Sequence, residues 1–474
     1  MASSTTDRDT FTPVLIVACA AAFLSFLDVA VVNLAVSAIS TGLGANLADV
    51  TWVMSGYAIP FAATLAVAGR CADLYGHRRI LLTGLFVFAM ASVACAAAPT
   101  LSVLVAARVA QGVGAAAMLP AALGALLAAA PAARVPSAIG AWSAAGAFAA
   151  ALGPAAGAML VDAFGWQSVF AVNIPACVLL FVAARAAVPA TDPASLRGRP
   201  DFVGAVLMAT AVACAVSVLT HGDRWGWSSP TTVALAIGAM FATSAVINRS
   251  LIHPHPVLQI AMLQSRPFAV ANLVSACFGF ALFTYLLAIP QFFTTVWNLS
   301  LLQAAGCVAG ASVVAMLAAG FTGRHARAGD ARWYAAAGMV LSTCGYAALG
   351  TELFGPARDW LAWTAVATAL GVGVGMTVTA LSVITAASTP PSAYSAGIGM
   401  NLTSRQIGGA LGVATFAAVV STEPGRFVGS LHSLFTVLAA VAAVAVICAL
   451  FIGSANPSQS RPDAKQQHQG EPSL

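Results

Sequence analysis

One acid and two guanidinium groups stand out because the chain gives them so little polar company. Asp28 sits in "FLSFLDVAVVNLAV", inside an apolar run from Pro13 to Val36. Burying an ionised carboxylate that deep in lipid costs several kcal/mol, about 2.5–3.5 on insertion scales. Arg108 lies inside a second apolar run, in "AARVAQGVGAAAMLP", and Arg405 inside a third, in "NLTSRQIGG". A desolvated carboxylate beside a cation can take up and release a proton as its surroundings change. A guanidinium stays charged, so it must find acceptors. Asp28 is therefore the expected proton-handling group and Arg108 its electrostatic partner. The alternative is a purely structural ion pair that locks two helices.

Polar residues near these charges are the candidate cavity contacts. Gln111 is three residues after Arg108, on nearly the same helical face. Asn401 is four before Arg405 and shares its face, and Gln406 follows it. Asn33, five residues after Asp28, is turned about 140° from it. It is the remaining candidate, or else it hydrogen-bonds a neighbouring helix.

The surroundings of these residues are membrane-like. The chain has 474 residues, of which 60% are hydrophobic and only 7% charged, with mean hydropathy +0.90. A soluble domain is about 25% charged, so the composition excludes one of this size. The apolar runs continue for about 20 residues, as membrane helices require, whereas barrel strands alternate over about 10. The expected fold class is an all-α polytopic membrane protein. Fourteen spans are expected near 13–36, 51–68, 79–98, 100–128, 136–161, 168–187, 202–220, 231–248, 267–290, 301–321, 333–350, 360–387, 396–421 and 427–452.

Basic residues orient them. With the N-terminus inside, inner loops and tails hold 15 of the 20 Lys and Arg residues and outer loops hold Arg224, Arg358 and Arg426. Arg108 and Arg405 are the two within spans. That asymmetry follows the positive-inside rule, so both termini are expected in the cytoplasm. Ala richness and 19 Arg against 1 Lys suggest a GC-rich bacterial genome, and the expected location is a bacterial inner membrane.

"GRCADLYGHRR" after the second span has a degraded counterpart, "GFTGRHARAGDARW", after the tenth. Two pseudo-symmetric six-helix bundles with two inserted central helices explain that spacing, the layout of a transporter with a midplane site. The expected divisions are an N-terminal tail at 1–12 and a first bundle at 13–187. A linker with the two extra helices at 188–266, a second bundle at 267–452 and a disordered tail at 453–474 follow.

Several motifs then carry a family resemblance. "LDVAVVNLA", "GRCADLYGHRRILL", "AARVAQGVGAAAMLP", "LGPAAGA", "GWQSVFAVNIP" and "SRQIGGALG" occur in order on the expected spans. Together they resemble the fourteen-span drug:proton antiporters of the major facilitator superfamily. The departures are Ala30 in the first motif, Cys71, Leu74 and His77 in the second, and Ala158 in the fourth. The resemblance implies a proton-driven exporter of small hydrophobic compounds, drugs or antibiotics, working by alternating access. It makes Gly69, Asp73, Gly76, Arg78 and Arg79 an inner-loop gate. Physically, Asp73 can cap the N-terminus of a neighbouring helix, although the same basic residues would also serve simply to orient the chain. Gly146, Gly153, Pro154 and Gly157 form the antiporter motif, which is either a hinge and seam or ordinary small-residue packing.

The expected partners are a small-molecule substrate, protons and the lipid bilayer, with no nucleic acid, and the chain is expected to be monomeric. The 9 Cys and 7 His show no metal-ligand spacing, and no metal or cofactor is expected. No catalytic triad or Walker sequence is present, so an enzyme is not expected. A proton-coupled importer on the same fold and a non-transporting receptor or channel are the rival readings.

Overall fold

The computed structural model describes residues 6–190, 201–254, 256–257, 259–327, 329–420 and 426–452. The tail expected at 453–474 lies outside them, as do residues 1–5. Among the described residues the secondary structure is helical throughout. The first half comprises α1 (Thr6–Leu43), α2 (Leu47–Tyr75), α3 (His77–Ala96), α4 (Leu101–Ala129) and α5 (Val135–Phe164). The short α6 (Ser168–Ala171) and α7 (Asn173–Ala187) complete it. Next come α8 (Phe202–Trp225), α9 (Pro230–Ile252) and the one-turn α10 (Ile260–Leu263). The second half comprises α11 (Arg266–Thr295), α12 (Leu301–His325), α13 (Ala331–Leu349), α14 (Trp360–Ala387), α15 (Tyr394–Val419) and α16 (Phe427–Leu450).

Every apolar run expected to span falls on helix. Helix α1 starts at Thr6, earlier than the expected boundary at 13, because the polar first turns continue the helix through Pro13. Twelve helical stretches are long and apolar enough to cross a membrane. Helices α13 and α15, of 19 and 26 residues, are not among them. Arg332, Trp333 and Tyr334 open α13, and Asn401, Thr403, Ser404, Arg405 and Gln406 dilute α15.

Local chemistry sets the breaks. Thr100 caps α4 by accepting from the Val103 amide, Asp201 caps α8 through Gly204, and Ser300 with Gln303 forms a capping box on α12. These side chains satisfy amides that a helix leaves unpaired at its start. Between α2 and α3 the chain reverses at Gly76, whose φ of +94° suits glycine.

Packing divides the helices into two sets. Helices α1 to α7 pack mainly on one another, and α11 to α16 do the same. Across the seam α5 lies on α12 and α2 lies on α15. The fifth long helix of each set thus meets the second of the other, the reciprocal pairing that pseudo-two-fold symmetry requires. The α8–α9 hairpin stands outside both sets. Helix α8 touches α2 and α15, whereas α9 packs on α8 and, at its end, α10.

Candidate functional site

Asp28 belongs to the buried stripe of α1 that includes Ser25, Val31, Val32 and Ala35. This stripe faces α4, α5 and α7. Its carboxylate accepts three hydrogen bonds. Arg108 Nη1 donates to Oδ2 at 2.6 Å, and Gln111 Nε2 and Asn173 Nδ2 donate to Oδ1 at 2.9 and 2.7 Å. Helices α1, α4 and α7 therefore converge on one charge. Asp28 is 1% exposed and Arg108 and Gln111 are fully buried, so in this conformation the site is sealed.

The cation is held as firmly as the acid. Arg108 Nε donates to the Val53 carbonyl at 3.2 Å, and Nη1 also donates to Gln111 Oε1 at 2.7 Å. Its guanidinium lies over the Tyr57 ring at 4.3 Å and near the Phe170 ring at 5.8 Å. Gln111 Nε2 donates onward to Ser92 Oγ at 3.0 Å, and the Cys95 thiol meets Gln111 Oε1 at 3.6 Å. Arg108 Nη2 is buried without a hydrogen-bond partner.

Small residues of α5 support this centre from behind. Gly146 faces Phe26, Gly153 faces Ala30 and Gly157 faces Val31. A Cβ at Gly153 would overlap the Ala30 methyl, so the small residues let α5 lie close against the turn that carries Asp28. Pro154 stands between them inside α5.

Asp73 lies at the end of α2, where α2 meets α15. Its Oδ1 accepts the Ser395 amide at 3.0 Å and its Oδ2 accepts the Ala396 amide at 2.8 Å. These are first-turn amides of α15, which otherwise lack partners and carry the positive end of the helix dipole. The two residues are 322 and 323 apart in sequence, so the contact joins the two helix sets. His77 Nε2 lies 3.4 Å from Asp73 Oδ1. A side chain at Gly69 would overlap the Ser395 carbonyl, and Gly76 supplies the turn after Tyr75. Arg78 is half-buried and Arg79 exposed.

Asp73→Asn is expected to loosen this closure. An amide retains one acceptor oxygen, loses the charge and turns an N–H toward a backbone N–H. A loss of about 1–3 kcal/mol follows for a charge-assisted contact. Spin-label distances between the facing ends of α2 and α15 should broaden toward longer values. An unchanged distribution would show that the close packing around Gly69 suffices.

The remaining candidates do not join the Asp28 cluster. Asn33 is exposed on α1. Asn401 donates to Ser275 Oγ at 2.8 Å, and Ser404 to Asn272 Oδ1 at 3.1 Å. Arg405 is buried with its guanidinium 5.5 Å from the centre of the Phe278 ring. Its Nε and Nη2 have no hydrogen-bond partner, and Gln406 is half-buried. Asn401, Ser404 and Arg405 thus form a second polar patch where α15 meets α11. No hydrogen bond or ion pair among the described residues connects it to Asp28.

Sequence reasoning did not nominate Asn173, Ser92, Tyr57 or Phe170. The available signal was Asn173 itself, the one amide side chain in "FAVNIPACVLL". The sequence pattern of the Major Facilitator Superfamily matches residues 18–328 and 271–473. The chain belongs to the Major Facilitator Superfamily. It is a multi-pass membrane protein of that superfamily's transporter class. It is 29% identical over 450 residues to the methylenomycin A resistance protein of Bacillus subtilis (strain 168), covering 94% of this chain and 95% of that one. It is 26% identical over 509 residues to the tetracenomycin C resistance and export protein of Streptomyces glaucescens, covering 95% and 93%. Among solved structures, the superfamily's proton:xylose symporter XylE matches with TM-score 0.68 at 13% identity, covering 93% of this chain and 95% of that one. The human organic anion transporter MFSD10 matches with TM-score 0.69, also at 13% identity, covering 92% and 99%. At those identities the structural likeness shows the superfamily fold alone.

Proposed function

We propose that this chain is a proton-coupled antiporter that exports small hydrophobic compounds, antibiotics among them, by alternating access. The observation that carries the reading is the sealed carboxylate of Asp28, held by donors from three helices. Protonation turns one of its acceptor oxygens into a donor and removes the charge that Arg108 faces. The contacts between α1, α4 and α7 must then rearrange, which gives proton arrival a structural effect. The resistance relatives support the export direction. Asp28 and Arg108 are the coupling pair.

The positive-inside pattern supports an orientation with the Asp73 end and both termini on the cytoplasmic side of a bacterial inner membrane. The two helix sets are then joined at their cytoplasmic ends in this conformation, and the cycle opens that contact to receive cargo. In this reading α13 and α15 cross the bilayer too, giving fourteen spans, with the α8–α9 pair as the insertion between two six-helix bundles. The cargo, protons and surrounding lipid are its partners, and the transporter works as a monomer. The Arg405 patch with Asn401 and Gln406 is offered as a cargo surface in the second bundle, and Asn33 as one in the first.

The test is transport in proteoliposomes carrying an imposed pH gradient, with a fluorescent hydrophobic dye as cargo. Dye should move against its gradient toward the more acidic side, with about one proton returning per dye because Asp28 is the one acid deep inside an apolar run. Two or more protons per dye would contradict a single carrier. Dye movement indifferent to the pH gradient would remove the antiport reading.

A further inference from the structure

A cleft of about 280 Å³ opens between α1 and α7. Its walls are hydrocarbon, with Phe23, Leu24 and Leu27 on α1 and Ala176 and Leu180 on α7. Asn173 is its one polar lining side chain and is 1% exposed. The amide nitrogen is committed, donating to Asp28 Oδ1 at 2.7 Å. The amide oxygen is buried without a hydrogen-bond partner. A buried acceptor left unpaired is costly, and here it belongs to the only lining residue able to accept strongly. A lipid acyl chain could fill the volume but would leave that oxygen unpaired.

We propose that this cleft binds a small, neutral, largely hydrocarbon compound through one hydroxyl or N–H donor, and that Asp28 sets which hydrogen-bond partner the cleft accepts. The inference rests on the reading of Asp28 as the proton carrier. An ionised carboxylate is acceptor-only, so Asn173 must turn its NH₂ to Asp28, which leaves the oxygen as the amide's one uncommitted atom for a guest in the cleft that the residue lines. A protonated Asp28 carries an O–H that can donate to the Asn173 oxygen. The amide then turns over and its NH₂ faces the cleft, where it favours an acceptor such as a ketone. The proton comes from bulk water at whichever end is open and returns there, with no other bond made or broken. The other titratable or charged groups around Asp28 are Arg108 on α4, Tyr57 on α2, Cys95 on α3 and Cys177 on α7. Arg108 keeps its charge throughout, so the reversal follows Asp28.

The experiment compares radiolabelled 1-tetralol and 1-tetralone, nearly equal in shape, binding to the full chain in nanodiscs from pH 8.5 to pH 5. At high pH the alcohol should bind about five- to tenfold more tightly, the worth of one hydrogen bond of ordinary strength. On acidification the ratio should fall to one or invert. Asn173→Leu should hold it near one at every pH, and Asp28→Asn should make it independent of pH. Leu27→Trp, which leaves both the amide and the acid chemically intact, should weaken binding of both compounds by filling the cleft. If Asn173→Leu does not assemble, Asn173→Ser removes the reach to Asp28 and serves the same comparison. A ratio that ignores pH in the wild type, or that survives both Asn173 changes, overturns the proposal, as does displacement of neither compound by Leu27→Trp. Dye transport driven by the pH gradient is measured on the same preparation. Its persistence with a flat ratio discards the cleft alone, and its absence discards the antiport reading.

Discussion

Asp28→Asn is expected to leave the protein folded and to reduce pH-driven dye accumulation to the level of protein-free vesicles. The side chain keeps its shape and one acceptor oxygen, so Arg108 retains a partner. Removing one partner of a buried ion pair costs about 3–5 kcal/mol. Because the Val53 carbonyl, Gln111 and the Tyr57 ring still hold Arg108, the loss should sit at the lower end, which a helix bundle with this much buried apolar surface tolerates. Exchange of labelled for unlabelled dye across the membrane, which needs no proton, should continue. That split separates coupling from cargo binding and can be read in one set of proteoliposomes. Full accumulation against a gradient by the variant would make Asp28 a structural residue.

Arg108→Gln should be the more damaging change to the fold. It leaves Asp28 buried opposite a neutral amide, and removing one partner of a buried ion pair costs about 3–5 kcal/mol. Gln111 and Asn173 still donate to the carboxylate, so the expected loss sits at the lower end of that range. The Val53 carbonyl would lose its donor and the Tyr57 ring its cation. Adding Asp28→Asn removes the unpaired charge, so the double variant should be more stable than Arg108→Gln alone while remaining uncoupled. Thermal unfolding of the three variants in one detergent gives the comparison. A double variant no more stable than Arg108→Gln would mean that the arginine acts mainly through Val53 and Tyr57.

The sequence made the membrane class, the helix positions and the residues of the Asp28–Arg108 pair legible, each for a physical reason. Charges inside apolar runs are rare because they are expensive, so the three that exist draw attention. Gln111 was legible through its three-residue spacing from Arg108. Asn173 was not, because its contact with Asp28 spans 145 residues and depends on how α7 lies against α1. The sealing rings of Tyr57 and Phe170 were hidden for a similar reason, since an aromatic residue in an apolar helix looks like ordinary packing. The helical offset of about 140° between Asp28 and Asn33 was legible too, and Asn33 lies exposed on α1, away from the buried acid. The single apolar run expected at 168–187 divides into α6 and α7, and no glycine or proline stands at the break itself. The geometry of Asp73 was suggested by residue type, but its receiving helix, α15, could not be found without the fold.

Asp73 engages main-chain N–H groups and no side chain of Ser395 or Ala396. The clasp itself asks nothing of the side chains at those two positions, but both are fully buried, Ser395 against Gly124 and Ala396 in one core cluster with Ala66 and Met400, so only small residues fit there. Proline is the exception. At the first turn of a helix it fits the backbone, yet at either position it would delete one of the two hydrogens that Asp73 grips. Variation at 395 and 396 should therefore stay among small residues other than that one imino acid, while residue 69 stays confined to glycine.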